Sequence, residues 1–304
     1  MSHHFTDALA SAVKRLASPV VVGLDPRWEQ LPDVFRAGGE DSWDARAQAY
    51  VEFSNGVVDV VAPLVPAVKI QAAFFEELGP TGMVAMGRVI GHARSRGLLV
   101  ILDGKRNDIG STAVAYAHGY LGHESAWGAD ALTISPYLGD DSLQPFVETA
   151  EERGAGLYVL VKTSNPGSGM LQDLVADGTK IYRRVARHVE LLATETEGEC
   201  GYGAVGAVVG ATYPEQLAEL REAMPHTWFL VPGFGSQGGT AADVSLAFDE
   251  RGRGAIVNNS RGVIFAHARR EFAERFGAAR WQEAVEAATR EMIEQLRGAV
   301  RGLG

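Results

Sequence analysis

Eight short, β-branched apolar runs recur along the chain, each followed by a small or polar residue and then by an amphipathic segment. The runs are Pro19 to Leu24, Ala67 to Ile70, Leu98 to Leu102, Ala129 to Ile134, Gly156 to Val161, Ala204 to Val209, Trp228 to Val231 and Ala255 to Val257. An unbroken apolar run, rather than an alternating one, marks a strand buried on both faces, as happens in a parallel sheet covered by helices. Between the runs lie helical patterns. Ser42 to Val61 carries Tyr50, Phe53, Val57 and Val61 at helical spacing with Ser42 as N-cap, and another helix begins at Pro80 and stops near Gly97.

Eight βα units in 304 residues predict an α/β fold. The specific expectation is a closed (β/α)8 TIM barrel of about 250 residues with additional N- and C-terminal helices. A doubly wound open sheet is the rival architecture. No Ser/Gly-rich linker, low-complexity tract or repeat divides the chain, so one domain over 1–304 is expected, with a barrel core over about 19–275. The extensions are a helix near Thr6 to Leu16, the Arg27 to Glu40 loop, and a C-terminal helical segment over about 280–301.

Composition narrows function by exclusion. A net charge of −10 argues against broad binding to nucleic acid or to anionic membranes, so any phosphate site is local. One cysteine, Cys200, excludes an intramolecular disulfide and a multi-cysteine metal cluster. The first residues lack a basic segment followed by an apolar one, and no run reaches about eighteen apolar residues, so a cytoplasmic protein is expected. The histidines show no metal-ligand spacing, and Ser164 lies in no nucleophile elbow.

In a barrel of this kind the chemistry sits at the C-terminal ends of the strands. Strand one ends in Asp25, strand two holds Lys69, and strand three runs into Asp103-Gly104-Lys105-Arg106-Asn107-Asp108. At a period of two, Asp103 and Lys105 share one side of the chain, while Asp108 falls on the loop beyond. The bare pattern D-x-K-x-x-D also suits a solvated turn. Lys69 is harder to place that way, because a lysine inside a short apolar strand needs a partner or a cavity. Strand five ends in Lys162-Thr163-Ser164-Asn165-Pro166-Gly167. Strand seven leads into Gly233-Phe234-Gly235-Ser236-Gln237-Gly238, and strand eight into Asn258-Asn259-Ser260-Arg261-Gly262. These two loops read as a phosphate cradle of close-approaching amides, helix N-termini and one arginine. The first also fits G-x-G-x-x-G, but the next strand ends in asparagines where a dinucleotide fold wants an acid.

Taken together, Asp103-x-Lys105-x-x-Asp108-Ile109-Gly110-x-Thr112 behind its apolar run resembles the signature of the orotidine 5′-phosphate decarboxylase family. The match extends to Asp25, Lys69, Ser164, Gln237 and Arg261 and spans roughly Val20 to Phe265. Chain length and the Thr163–Gly167 and Asn258–Gly262 stretches are similar to the larger bacterial branch. The resemblance implies conversion of orotidine 5′-monophosphate to uridine 5′-monophosphate and CO2 without metal or organic cofactor, in a homodimer with shared sites. It implies catalytic roles for Lys69, Asp103, Lys105 and Asp108, the last reaching the partner's site with Thr112 beside it. It implies substrate binding by Asp25, Thr112, Ser164, Gln237, Ser260 and Arg261. Losing CO2 from C6 leaves a carbanion that the ring π system cannot delocalise, so nearby positive charge and an acid are needed, and Lys105 suits both tasks.

Two alternatives stay open. One is an Mg²⁺-dependent sugar-phosphate decarboxylase or aldolase of the same superfamily, whose members resemble this chain in the Asp-x-Lys-x-x-Asp element but place an acid where Lys69 stands. The other is a catalytically silent barrel that binds a nucleotide.

Overall fold

The computed structural model describes residues 4–37, 42–235 and 238–303. Eight parallel strands close into a barrel: β1 (Val20–Leu24), β2 (Ala67–Gln71), β3 (Leu99–Arg106), β4 (Ala131–Ile134), β5 (Gly156–Lys162), β6 (Val205–Val209), β7 (Phe229–Val231) and β8 (Ala255–Asn259). Each strand pairs with its chain neighbours, and β1 closes the ring on β8 through Val20–Val257, Val21–Asn258 and Val22–Asn259. Closure removes the edges of the barrel sheet, and the strands are buried on both their inward and outward faces. The rival open sheet is thereby excluded.

Strand positions follow the apolar runs, and the ends differ in an informative way. β3 continues through its polar residues to Arg106, because Gln71 still pairs with Asp103 on one side and Ile134 with Arg106 on the other. β8 runs through both asparagines to Asn259. Ser42 caps the helix Trp43–Val61 by accepting the Ala45 N–H, and the helix expected from Pro80 spans Gly79–Ser95. Within the described part of the Arg27 to Glu40 loop, Trp28–Gln30 and Asp33–Arg36 form single helical turns. The segment after β5 also holds a small hairpin, Val175–Ala176 against Thr179–Lys180, which no hydrophobic period announces.

The terminal helices are packing elements. Phe5, on the helix Phe5–Leu16, lies edge-on to Tyr158 and fills the space where a side chain on Gly156 would stand, a Cβ there falling 2.2 Å from its ring. The N-terminal helix thus seals the start of β5. Trp281, on the helix Trp281–Ala299, packs with Phe35 and Phe53, and Phe53 stacks on Phe265. A Cβ on Gly56 would come within 2.7 Å of the Trp281 ring, so glycine at that turn lets the two helices approach. Truncating Phe5 or Trp281 to alanine would cost about 3–5 kcal/mol by the usual cost of emptying such a site.

Candidate active site

Seven of the ten residues singled out from the sequence line one cavity of about 600 Å³ at the C-terminal mouth of the barrel: Asp25, Lys69, Asp103, Lys105, Ser164, Ser260 and Arg261. Gln237 lies outside the described residues. Asp108 and Thr112 do not line this cavity. Asp108 is half-buried and its Oδ1 accepts the N–H of Ile109, while Thr112 is exposed in the first turn of the helix Gly110–Leu121.

At the centre stands the carboxylate of Asp103, 7% exposed. Its Oδ2 accepts from Lys69 Nζ at 2.8 Å and from Gln71 Nε2 at 3.0 Å. Its Oδ1 accepts from Lys105 Nζ at 2.6 Å and from Thr133 Oγ1 at 2.9 Å. Burial alone would push this carboxyl up, but Lys69 and then Lys105 outweigh it and hold the group well below the usual carboxylate range. Burial would likewise lower the Lys69 ammonium, yet Asp103 and then Asp25, whose Oδ1 lies 3.9 Å away, raise it. Lys69 and Asp103 therefore face each other as ammonium and carboxylate at neutral pH. Lys69 is 4% exposed, whereas the Lys105 side chain is 46% exposed and open to a ligand in the cavity.

The local backbone explains this convergence. Four steps along β3 from Leu102 to Arg106 face two along β4 from Leu132 to Ile134, so β3 bulges there. Lys105 adopts φ 47°, a left-handed conformation uncommon outside glycine. Arg106 turns away from the mouth, to Glu76 and the Tyr120 hydroxyl.

Other strand ends complete the wall. A Cβ on Gly23 would meet Ser260 Oγ at 1.9 Å, so glycine in β1 gives the Ser260 side chain its place. Two buried acceptors lining the cavity, Asp25 Oδ1 and Asn258 Oδ1, have no hydrogen-bond donor, an arrangement suited to the hydroxyls of a sugar. The chain before Ser164 is held by Gln172: the Thr163 N–H donates to Gln172 Oε1 at 3.0 Å and Gln172 Nε2 donates to Thr163 Oγ1 at 2.8 Å. Lys162, at the end of the same strand, is not part of the cavity. It is buried outside it, 2.8 Å from Asp173 and between the rings of Tyr182 and Tyr213.

The two loops expected to cradle a phosphate both reach the cavity. Gly233 and Gly235 take positive φ, which only glycine adopts without strain, and bring the loop after β7 to the cavity. The amides of Gly235, Gly238 and Gly239 donate back to carbonyls of the same loop. The helix that follows, Ala241–Ser245, is one turn long and capped by the Thr240–Asp243 box: the Asp243 N–H donates to the Thr240 hydroxyl and the Thr240 N–H to the Asp243 carboxylate. That leaves Arg261, exposed and paired with no carboxylate among the described residues, as the cation available to a phosphate. Sequence reasoning gave no role to Gln71 or Thr133, and placed Asn258 only within the cradle loop. Gln71 and Asn258 stand at strand ends already singled out, whereas Thr133 carries no charge and sits inside an apolar run.

A parallel barrel that sets two ammonium groups about one buried carboxylate, in a cavity that also offers two acceptors without donors and an arginine with no carboxylate partner among the described residues, is equipped for carbon–carbon bond cleavage in a phosphorylated substrate. Comparison with known proteins identifies the family. The model of the orotidine 5′-phosphate decarboxylase / HUMPS family matches residues 18–276. A Rhodopirellula baltica protein named orotidine 5′-phosphate decarboxylase is 58% identical over 299 residues, covering 97% of this chain and 99% of its own. One of the same name from Deinococcus radiodurans is 42% identical, covering 88% and 91%. The structure of Leishmania donovani OMP decarboxylase superposes with a TM-score of 0.74 at 34% identity, covering 97% of this chain and 98% of that one. The chain belongs to the orotidine 5′-phosphate decarboxylase / HUMPS family.

Proposed function

We propose that the chain is a carboxy-lyase that converts orotidine 5′-monophosphate to uridine 5′-monophosphate and CO2, the closing step of pyrimidine nucleotide synthesis. The observation that carries this reading is the Lys69–Asp103–Lys105 array, with Lys69 Nζ 2.8 Å from Asp103 and 3.9 Å from Asp25. An ammonium already set between those carboxylates would repel a divalent ion, which weighs against the metal-dependent sugar-phosphate chemistry of the same superfamily. The 58% identity to a protein named for the decarboxylation points the same way.

In this reading the bond between C6 and the carboxyl carbon breaks, CO2 leaves, and the electron pair stays on C6. Lys105 stabilises that pair by its charge and then gives it a proton, forming the C6–H bond and leaving a neutral amine that solvent reprotonates. Asp103 stands near the substrate carboxylate and holds Lys105, and Lys69 braces Asp103 and contacts the ribose. Asp25, with Asn258, takes ribose hydroxyls, Ser164 reads the pyrimidine, and Gln237, Ser260 and Arg261 hold the phosphate. Binding energy from that remote phosphate contributes to the transition state.

The active unit in this reading is a homodimer. Asp108 and Thr112 lie outside their own cavity beside exposed Ile109, Val114 and Tyr116, a placement that supports their serving the partner's site. No described helix is long and apolar enough to cross a membrane, and a pyrimidine-synthesis enzyme of this kind would work in the cytoplasm.

The test is to mix the purified protein with orotidine 5′-monophosphate and EDTA and follow loss of the substrate's ultraviolet absorbance, with Lys105→Ala alongside. Rapid loss for the unaltered chain alone is expected. No loss, with tight uridine 5′-monophosphate binding, would instead mark a silent nucleotide-binding barrel.

A further inference from the structure

We propose that Thr133, on β4, is a positioning residue for the decarboxylation, its hydroxyl tying the Lys105 backbone to the Asp103 carboxylate and so setting where the Lys105 ammonium stands. The inference rests on the decarboxylase reading above.

Thr133 is 1% exposed and lies across the β3 bulge from Lys105. Its Oγ1 makes two hydrogen bonds of 2.9 Å, one to the Lys105 N–H and one to Asp103 Oδ1. The chemistry of the partners fixes the direction of both. A backbone N–H only donates, so the hydroxyl oxygen accepts there, and an ionised carboxylate only accepts, so the hydroxyl proton goes to Asp103. One atom thus joins the main chain of the proton donor to the side chain of the carboxylate beside it.

The bulge gives that link its importance. Lys105 is one of three described non-glycine residues at positive φ, and such a conformation persists only when its surroundings over-determine it. The side-chain contact between Lys105 Nζ and Asp103 Oδ1, at 2.6 Å, cannot fix the backbone, because four rotatable bonds separate the lysine Cα from its carbon next to Nζ. Thr133 acts on the other end of the residue. Valine at this position would keep the branched shape while removing both hydrogen bonds, leaving the Lys105 amide and one carboxylate oxygen each short of a partner. Serine would keep both.

The test compares Thr133→Val and Thr133→Ser with the unaltered enzyme in two ways: kcat and KM for orotidine 5′-monophosphate, and hydrogen exchange at the Lys105 amide without substrate. In Thr133→Val, kcat should fall about 100-fold, the scale of an ångström misplacement of a reacting group. KM should stay within about threefold, because the groups that bind ribose and phosphate are untouched. The Lys105 amide should exchange about tenfold faster in that variant as its local bond is lost. Thr133→Ser should hold kcat within about threefold of the unaltered enzyme. Unchanged kcat in Thr133→Val, or equal losses in both variants at unchanged melting temperature, would overturn the inference. Should the valine variant not fold, Thr133→Cys, with its weak thiol donor and acceptor, replaces it under the same expectations. Absence of turnover in the unaltered chain would instead count against the decarboxylase reading, and the amide-exchange result would still decide whether the link exists.

Discussion

Lys69 Nζ and Lys105 Nζ approach opposite oxygens of the single carboxylate of Asp103, at 2.8 Å and 2.6 Å. With Asp25 beside Lys69, the two positive and two negative side chains of this array balance before a substrate arrives. A substrate carboxylate adds a negative charge that begins next to Asp103. As CO2 leaves, that charge moves to C6, where the Lys105 ammonium can meet it. Only an interaction that strengthens along this path accelerates the reaction, and Lys105, the exposed member, is the one free to make it.

The buried carboxylate also sets how stability depends on pH. Asp103 titrates near 3.9 in an unfolded chain and well below that when folded. Its ionised form therefore contributes stability that is fully present above about pH 4 and is lost as pH falls through the folded value. Asp103→Asn should cost about 3 kcal/mol at pH 7, because it leaves Lys69 buried without its carboxylate. Urea midpoints of the two proteins should converge as pH is lowered from 5 toward 2; parallel curves would mean that Asp103 is not held ionised by the lysines. Lys69 acts at the other end of the scale. Its raised folded value gives stability that is present below the unfolded lysine pKa and lost as pH rises through the folded one.

Arg261 supplies the second prediction. It faces the cavity with no carboxylate partner among the described residues, so its removal should weaken phosphate binding without disturbing the fold. Arg261→Ala should lower kcat/KM by about 3 kcal/mol, or roughly 100-fold. Uridine 5′-monophosphate affinity should fall in parallel, while uridine, which lacks the phosphate, should bind both proteins equally. Equal losses for nucleotide and nucleoside would place Arg261 elsewhere in the site.

The barrel was legible because a strand buried on both faces writes itself as an unbroken apolar run, and eight such runs with helices between them leave few architectures. The charged members of the site were legible for a related reason: Lys69 stands out inside an apolar strand, and Asp25, Asp103 and Arg261 follow one. Thr133 was not, since its part depends on a two-residue bulge in β3 that no periodicity records. Lys162 misleads in the opposite sense. It is a buried lysine on a barrel strand as Lys69 is, but it turns to Asp173 and two tyrosine rings outside the cavity, a choice made by residues distant in sequence. The glycine loop after β7 was readable as a close-approach segment, though not that its amides would bond among themselves.

Gly210 tests the floor beneath Ser164. It follows β6, its N–H donates to the Lys162 carbonyl, and a Cβ there would lie 2.8 to 2.9 Å from Ser164 Cβ, Cα and N. These are backbone or near-backbone atoms, so the neighbour has to move. If Ser164 reads the pyrimidine as proposed, Gly210→Ala should shift it and raise KM about tenfold, besides costing about 1–3 kcal/mol of stability by overpacking. A crystal structure of the variant with Ser164 unmoved would refute that account.

Asp108 and Lys105 lie three residues apart in sequence, yet only Lys105 lines this chain's own cavity. If Asp108 completes the partner's site, Lys105→Ala and Asp108→Asn homodimers should each be inactive, because every site in them lacks one group. Mixing the two after partial unfolding and refolding should restore activity. In a mixed dimer, one site takes Lys105 from the aspartate variant and Asp108 from the lysine variant and is whole, while the other carries both lesions. Random pairing makes half the dimers mixed, so about one quarter of the unaltered activity should return. Native mass spectrometry would show whether mixed dimers form. Their formation without recovered turnover would assign Asp108 to its own chain, as a structural acid on the loop after β3.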